Sequence, residues 1–377
     1  MIAGTPVLDL DDVASLEAAD SGGIVRSAAS GGAQVRATAA AVSEDVLARL
    51  RDMRPRSLVF VAGAGRAARA AGVLLACLGE RAALPIVPVS ALPQWVGPLD
   101  VVLVAGDDAG DPRVVDAVDR ALRRSAEVVV AAPDEGPLRT AAAGRAALLP
   151  PRVRVLDHNR LLRYLAIGIA VLQAVDPSHI VPLTPELNAL ADALDAEALR
   201  DGPTNEVFHN PAKLLAARMQ QRRIVLAGDS AAANQVAGHA AEVLLATAGQ
   251  IAAAADLSDV AAAHTRISDA AGAAAPGFDP MFHDEQLDGP APVQRVGLFV
   301  VSADSDQVAA RRRLALFGNG SGLIDAELVT LEAEAGSELE QLAVLMLRLE
   351  MAAAYLRLLG GSAAAADSPA HYDGGNF

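Results

Sequence analysis

Two glycine-bearing turns hold the residue types best suited to chemistry. Gly63-Ala64-Gly65-Arg66 follows the apolar run Ser57–Ala62, and Gly106-Asp107-Asp108-Ala109-Gly110-Asp111 follows Val101–Ala105. Glycine lets backbone N–H groups approach a ligand, and the start of the following helix favours an anion. The first turn lacks the third glycine of a dinucleotide fingerprint, and the next strand, Pro85–Val89, ends without the acidic residue that would hold a ribose. A tight turn that packs a helix on a sheet explains it equally well. The second turn presents three carboxylates, Asp107, Asp108 and Asp111, and no hydroxyl. Carboxylates at a helix start repel an incoming phosphate, could hold a hard cation through oxygen, or serve as caps on a solvated acidic turn. The seven histidines show no His-x-x-x-His or Cys/His spacing, so no metal site is expected. His283-Asp284-Glu285, the densest polar cluster, reads as a surface turn, and neither a Gly-x-Ser-x-Gly elbow nor a P-loop is present.

The elements that must position these turns follow from hydrophobic patterning. Strands are predicted at Ser57–Ala62, Pro85–Val89, Val101–Ala105, Glu127–Ala131 and Val153–Leu156, with helices at Arg66–Leu78 and Pro112–Arg124. Apolar strands alternating with helices imply an α/β fold with a parallel sheet covered on both faces. Asp111-Pro112 is an N-cap followed by proline at the first helical position, and Thr184-Pro185 and Asn210-Pro211 read as the same device. The pattern restarts with a strand at Arg223–Gly228, a helix at Ala231–Thr247, strands at Arg295–Ser302 and Gly322–Thr330, and a long amphipathic helix at Ser337–Leu359. Val59–Gly65 and Ile224–Ser230 are both strand-to-turn-to-helix junctions, which suggests a duplicated unit. The expected division is a first domain over 1–180, a helical linker over 181–209, a second domain over 210–361 and a mobile tail over 362–377. Ala274–Pro292 reads as an irregular loop.

Composition narrows the partners. The 377 residues are 52% hydrophobic and 20% charged, enough apolar surface for two cores, and the aromatic share is only 3%. A net charge of −15 repels a phosphate backbone, so neither nucleic acid nor an anionic membrane is an expected partner. The lone Cys77, inside Gly72–Leu78, reads as a small buried hydrophobe. The first twelve residues carry no basic segment followed by an apolar stretch, and Tyr164–Val175 is too short to span a bilayer, so a cytoplasmic location is expected.

Several segments together resemble the bifunctional phosphoglucose/phosphomannose isomerases, which carry two sugar-isomerase (SIS) domains in one chain. Leu84-Pro-Ile-Val and Leu92-Pro-Gln-Trp-Val96 resemble that family's strand and LPxWV segment. Pro151-Arg152 resembles its QPR motif, Asn210-Pro-Ala-Lys-Leu-Leu-Ala216 its NPAK start, and Ile224–Ser230 the strand and GS turn that follow. Order and spacing agree from about Ser57 to Leu359. The resemblance implies two three-layer αβα domains, each with a mainly parallel sheet, a homodimer, no cofactor, and a sugar phosphate or sugar nucleotide as ligand. It places the ligand at Gly63, Gly65, Arg66, Asp107, Asp108, Gly110 and Arg152. The departures concern the chemistry. Arg66 stands where the family's GxGGSA turn has serine, and the SxSGNT phosphate loop corresponds to Asp107–Pro112, with its hydroxyls replaced. Ala246 falls where the family's base is expected, Glu242 lies one helical turn earlier, and His264 lies near the expected ring-opening histidine. The family's lysine near the C-terminus has no counterpart.

Three functions are therefore open. The chain is a degenerate sugar-isomerase-type protein that binds a phosphosugar, an active isomerase using Glu242 and His264 as relocated acid/base groups, or a non-catalytic regulatory or structural subunit. Loss of a general base costs about 10²–10⁴ in rate, which favours the first. Ser337–Leu359 is a candidate for the dimer interface or for core.

Overall fold

The computed structural model describes residues 8–63, 65–272, 295–303, 312, 314–315, 317, 323–331 and 336–360. The loop 274–292 and the tail 362–377 lie outside the described residues. In chain order the helices are α1 (Val13–Ala19), α2 (Ile24–Ala28), α3 (Gly31–Ser43), α4 (Gly65–Leu78), α5 (Pro112–Arg123), α6 (Gly136–Ala142), α7 (Leu161–Val175) and α8 (Pro177–Ile180), followed by α9 (Leu187–Arg200), α10 (Pro211–Met219), α11 (Ala231–Ala248), α12 (Leu257–Gly272) and α13 (Glu338–Gly360).

The β-branched runs of the first half become β1 (Ser57–Ala62), β2 (Ile86–Val89), β3 (Asp100–Ala105), β4 (Glu127–Ala131) and β5 (Ala147–Leu148). They form one parallel sheet in the order β2-β1-β3-β4-β5. Every residue of β1 and β3 is buried, as expected where helices cover both faces. Strand alternation sends Leu58 and Phe60 toward α4 and α7, and Val59 and Val61 toward α5 and α6. In the second half β6 (Arg223–Gly228), β7 (Ala252–Asp256), β8 (Val296–Val301) and β9 (Ile324–Val329) form a second parallel sheet, ordered β7-β6-β8-β9. Its Ile224, Leu226, Phe299 and Val301 join α11 and α13 in the main core, while Ala227, Leu298 and Val300 face α12. The fold is α/β with two parallel sheets, each between helical layers.

Between the sheets α4 packs on α11 through small residues. A Cβ built on Gly238 would lie 2.7 Å from the Arg69 guanidinium carbon, and one on Gly72 would lie 2.8 Å from Gln235 Oε1. The alanine-rich composition permits this close approach. One core cluster then runs continuously through α3, α4, α7, α9, α11 and α13.

Three expectations change, and one strand is new. The fifth strand is Ala147–Leu148, not Val153–Leu156, because Pro150-Pro151 interrupts the ladder and the Leu156 N–H donates to Ser27 Oγ instead (2.8 Å). The alanine run of β7 forms a strand despite weak β propensity, since it completes the edge beside β6. Thr184 is not a cap: its hydroxyl donates to Ile180 O, and Glu186 caps α9 by accepting from Ala189 N. Helix α13 is buried on nearly every side from Leu339 to Leu358, so it is core and leaves no face for a second copy. Asn210 and Asp111 do cap α10 and α5. Cys77 is buried, and burial followed by the nearby Glu338 pushes its thiol up to about 12. Among the described residues no single helix is long and apolar enough to cross a membrane.

Polar groups lock α9, α10 and α13 together. Tyr355 Oη donates to Asp201 O (2.7 Å), Ala212 N donates to Asp201 Oδ1 (3.1 Å), and Arg348 Nε donates to Glu197 Oε1 (2.6 Å). Burial, followed by the negative charge of Glu197, raises Asp201 to about 7. A carboxyl raised in the folded state holds its proton where the unfolded chain has lost it, so its stabilisation is present at low pH and declines as pH rises from about 4 through about 7. Thermal unfolding across that window is expected to show Tm falling with pH in the natural protein. Asp201→Asn is expected to lose that fall; an unchanged slope in the variant would refute the assignment.

Candidate functional site

Strands β1 and β3 are neighbours, with Ala62 opposite Ala105, but their outgoing connections run to opposite sides, to β2 and to β4. The turns that follow them therefore diverge at a topological switch point, where open α/β sheets bind ligands. Gly65 adopts φ +70°, which favours glycine, and a Cβ on Gly63 or Gly65 would meet nothing within 4 Å. The turn thus opens outward. Arg66, on the first turn of α4, has a buried Nε without a hydrogen-bond partner among the described residues.

The second turn departs from the expected row of bare carboxylates. Asp107 Oδ1 accepts from Tyr164 Oη (2.5 Å) and pairs with Arg160 Nη1 (2.9 Å). Arg160 also binds Asp157 (2.6 Å). Asp108 Oδ1 accepts from Gly110 N (2.7 Å), and Asp111 Oδ1 caps α5 through Arg113 N (2.8 Å). One carboxylate is matched by a guanidinium and the other two are committed to backbone N–H groups. Burial, then the Asp107 charge, pushes the Tyr164 phenol well above its ordinary range, so it stays protonated and donates. Burial works against the charge of Arg160, but Asp107 outweighs it and raises that guanidinium. Arg163 is lowered by burial, and its Nη2 donates to Leu149 O (2.6 Å). Among the described residues no group of three His, Cys, Asp or Glu side chains is placed to hold a metal ion.

The remaining expected site residues do not converge there. Arg152 makes a two-point pair with Glu44 at the end of α3 (2.8 and 2.5 Å). Glu242 Oε1 accepts from Arg69 Nε and Nη2 (3.0 and 2.8 Å), joining α11 to α4. His264 sits on α12 with its ring 5.7 Å from that of Phe317. Since α11 and α12 cover opposite faces of the second sheet, Glu242 and His264 are not brought together.

A different polar cluster is assembled, one that spacing alone did not reveal. His239 on α11 and Glu350 on α13 are both essentially fully buried, and His239 Nε2 lies 2.8 Å from Glu350 Oε1. Glu350 Oε2 accepts from Asn159 Nδ2 (2.7 Å), and Asn159 Oδ1 accepts from Ser27 Oγ (2.8 Å). Gln34 Nε2 completes the shell on Asn159 O (2.9 Å). Asn159 ends the short 3-10 turn Asp157–Asn159 and directly precedes Arg160, the partner of Asp107. The adjacent His158 is lowered mainly by burial; the charge of Glu350 opposes the shift and that of Arg66 adds to it. His158 Nε2 and His239 Nδ1 are buried without partners among the described residues. The sequence signal for this cluster was slight: one histidine in an alanine-rich helix, one glutamate in an apolar one, and the polar run Asp157–Arg160 before α7.

Glu350→Ala leaves two buried donors unmet and is expected to cost about 3–5 kcal/mol, the usual penalty for breaking a buried pair. Urea unfolding should show it as a lowered midpoint at unchanged slope. A loss below about 1 kcal/mol, the scale of an exposed pair, would show that the cluster does not hold the halves together.

No family model matches the sequence, and the curated proteins likewise give no match. Solved structures do match. Tagatose-6-phosphate ketose/aldose isomerase from Escherichia coli has a TM-score of 0.60 at 14% identity, over 91% of this chain and 95% of that one. A hypothetical protein from Thermus thermophilus also has a TM-score of 0.60, at 12% identity over 93% of this chain and 89% of that one. The C-terminal domain of glucosamine-fructose-6-phosphate aminotransferase from Francisella tularensis has a TM-score of 0.51 at 12% identity, over 87% of this chain and 95% of that one. At such identities the likeness is one of architecture, and the chain has the paired αβα fold of the phosphosugar-isomerase structures it resembles.

Proposed function

We propose that the protein binds a phosphosugar at the β1/β3 crevice and does not interconvert aldose and ketose through Glu242 and His264. The observation that carries the reading is the open glycine turn beside Arg66, whose Nε has no hydrogen-bond partner among the described residues, next to an Asp107 whose charge Arg160 offsets. A phosphate there would meet backbone N–H groups of the turn, the start of α4 and two guanidinium groups, even though the chain as a whole is acidic. The fold shared with a tagatose-6-phosphate isomerase supports the class of ligand. The sequence segments that resemble the bifunctional phosphoglucose/phosphomannose isomerases add a proposed role in mannose or glucose phosphate metabolism. A homodimer and a cytoplasmic location belong to the same proposal.

The inactive reading rests on where the acid/base candidates lie. Glu242 bridges two helices, and His264 is on the far face of the second sheet. Without a base that reaches the sugar's C1 and C2, binding energy from the phosphate cannot be turned into rate. One observation favours an active enzyme instead: a buried carboxylate orients His239, leaving Nδ1 without a partner among the described residues, which is how a general base is held.

Calorimetry with glucose 6-phosphate and mannose 6-phosphate, beside a coupled isomerase assay, separates these readings. Saturable binding without turnover is expected. Arg66→Gln should weaken binding by at least about ten-fold, the scale of a lost charged hydrogen bond. Asp107→Ser should tighten it by freeing Arg160. Turnover lost in Glu242→Gln would overturn the inactive reading, and turnover lost only in His239→Gln would establish the alternative. Absence of binding by either sugar phosphate would overturn both.

A further inference from the structure

The two parallel sheets have as outer strands β2 and β5 in the first, and β7 and β9 in the second. An outer strand offers unpaired N–H and C=O groups to any other strand, and folded proteins guard such edges with proline, charge or brevity. All but one of these edges is guarded in that way. Strand β2 carries Pro88, β5 is two residues long and is soon followed by Pro150-Pro151, and β9 carries Asp325 and Glu327. Strand β7 is an alanine run, Ala252–Ala255, that ends in Asp256; it has no proline, and its charge comes only at the last position.

The β7 edge is also uncovered. The strand pairs with β6 on one side, and no described residue bonds to the backbone of Ala252–Ala255 on the other. Consecutive side chains point to opposite faces of a sheet. Ala253 and Ala254 are both exposed, so neither α11 nor α12 overhangs the strand. Ile251, just before it, is 81% exposed. A cleft of about 520 Å³ opens beside it, lined by Ile224, Ile251, Ala253 and Ile267. Exposed apolar surface continuous with a bare sheet edge marks a place of contact.

The charges along this edge are self-complementary. Strand β7 passes directly into α12, which turns back over the sheet, so Asp259 lies at the carboxyl end of the strand. Arg266, two turns on and on the same helix face, lies near the amino end, where it lines the cleft with Ile251. Both are exposed, and neither has an ion-pair partner among the described residues. Arg223, at the start of β6, adds positive charge at that end and bonds only to Ala270 O (3.4 Å). A two-fold axis through the middle of β7 brings the negative end of one edge to the positive end of its copy.

We infer that β7 pairs antiparallel with β7 of a second copy of this chain, joining the second sheet of each copy across a two-fold axis at Ala254. This isologous contact sets Ala252 opposite Asp256, Ile251 opposite Leu257, and Asp259 of each copy beside Arg266 of the other. It is consistent with the burial of α13, which leaves no face there for a second copy. The contact does not depend on the phosphosugar crevice, which belongs to the first sheet.

Sedimentation velocity on the full chain over a range of micromolar concentrations tests it. A species of twice the 38.5 kDa chain mass is expected. Ala254→Lys sets like charges face to face at the axis and should raise the dimer dissociation constant by about ten-fold. Arg266→Glu and Asp259→Arg should each raise it by about five-fold. The double variant, which exchanges the two charges, should return it to the natural value, and that return shows that the single variants are folded. Glucose 6-phosphate binding, present or absent in the natural chain, should not change among the variants, so failure of the phosphosugar reading leaves this test intact. A monomer at every concentration, or a dimer that all three single variants leave intact, would overturn the inference. So would a double variant as weak as the singles.

Discussion

Glu350 is the group on which the arrangement of the two halves turns. It is a carboxylate, 1% exposed, on a helix whose other residues from Leu339 to Leu358 are almost all apolar. A lone buried carboxylate is costly, so its two oxygens must be satisfied, and the partners come from different halves: His239 from α11 and Asn159 from the turn before α7. Hydrophobic contact between alanine-rich helices tolerates sliding, because small side chains interlock weakly. Directional bonds to one carboxylate do not. The register of the turn before α7 against α11 and α13 is therefore fixed by a polar cluster inside an apolar interface, while Arg69 and Glu242 pin α4 to α11.

That constraint reaches the crevice. Asn159, held by Glu350, Ser27 and Gln34, leaves the following residue no freedom to wander, and that residue is Arg160. Its guanidinium then meets Asp107 and Asp157, and Tyr164 one turn further along α7 donates to the same Asp107 oxygen. The charge at the mouth of the crevice is set by these pairings. Three acidic residues in six positions look repulsive as a string of letters, yet each has a defined acceptor role once the backbone is folded.

How much of this the sequence displayed depends on the range of the interaction. Strand β1, the caps Asp111 and Asn210, and the burial of Cys77 follow from local patterns of a few residues, and all appear where the patterning placed them. Strand β7 was illegible because alanine carries no strand signal, and its pairing with β6 is a tertiary effect. Val153–Leu156 carried a strand signal, but Pro150-Pro151 interrupts the ladder before it and Ser27 takes the Leu156 N–H. The site was legible at the level of its turns, since glycine after an apolar strand marks a place where backbone is exposed. Its charge balance was not, because Asp107 and Arg160 are 53 positions apart and Asn159 and Glu350 are 191 apart. Nothing in composition or spacing links such pairs.

The two strand-to-turn-to-helix junctions differ in how the described residues occupy their turns. The second sheet has its own switch point between β6 and β8, with the turn after β6 leading into α11 as the turn after β1 leads into α4. There the space is filled from within. Asn234 Oδ1 accepts from Gly228 N (3.0 Å), Asn234 Nδ2 donates to Asp256 (2.6 Å), and Ser302 Oγ donates to Asp229 (2.5 Å). A Cβ on Gly228 would lie 2.2 Å from Asn234 N, whereas one on Gly63 or Gly65 meets nothing. The side chains named around the second turn bond to one another, and two of them are acidic. Around the first turn Arg66 Nε has no partner among the described residues. Of the two strand-to-turn-to-helix junctions, the first leaves open space over its glycines and the second does not.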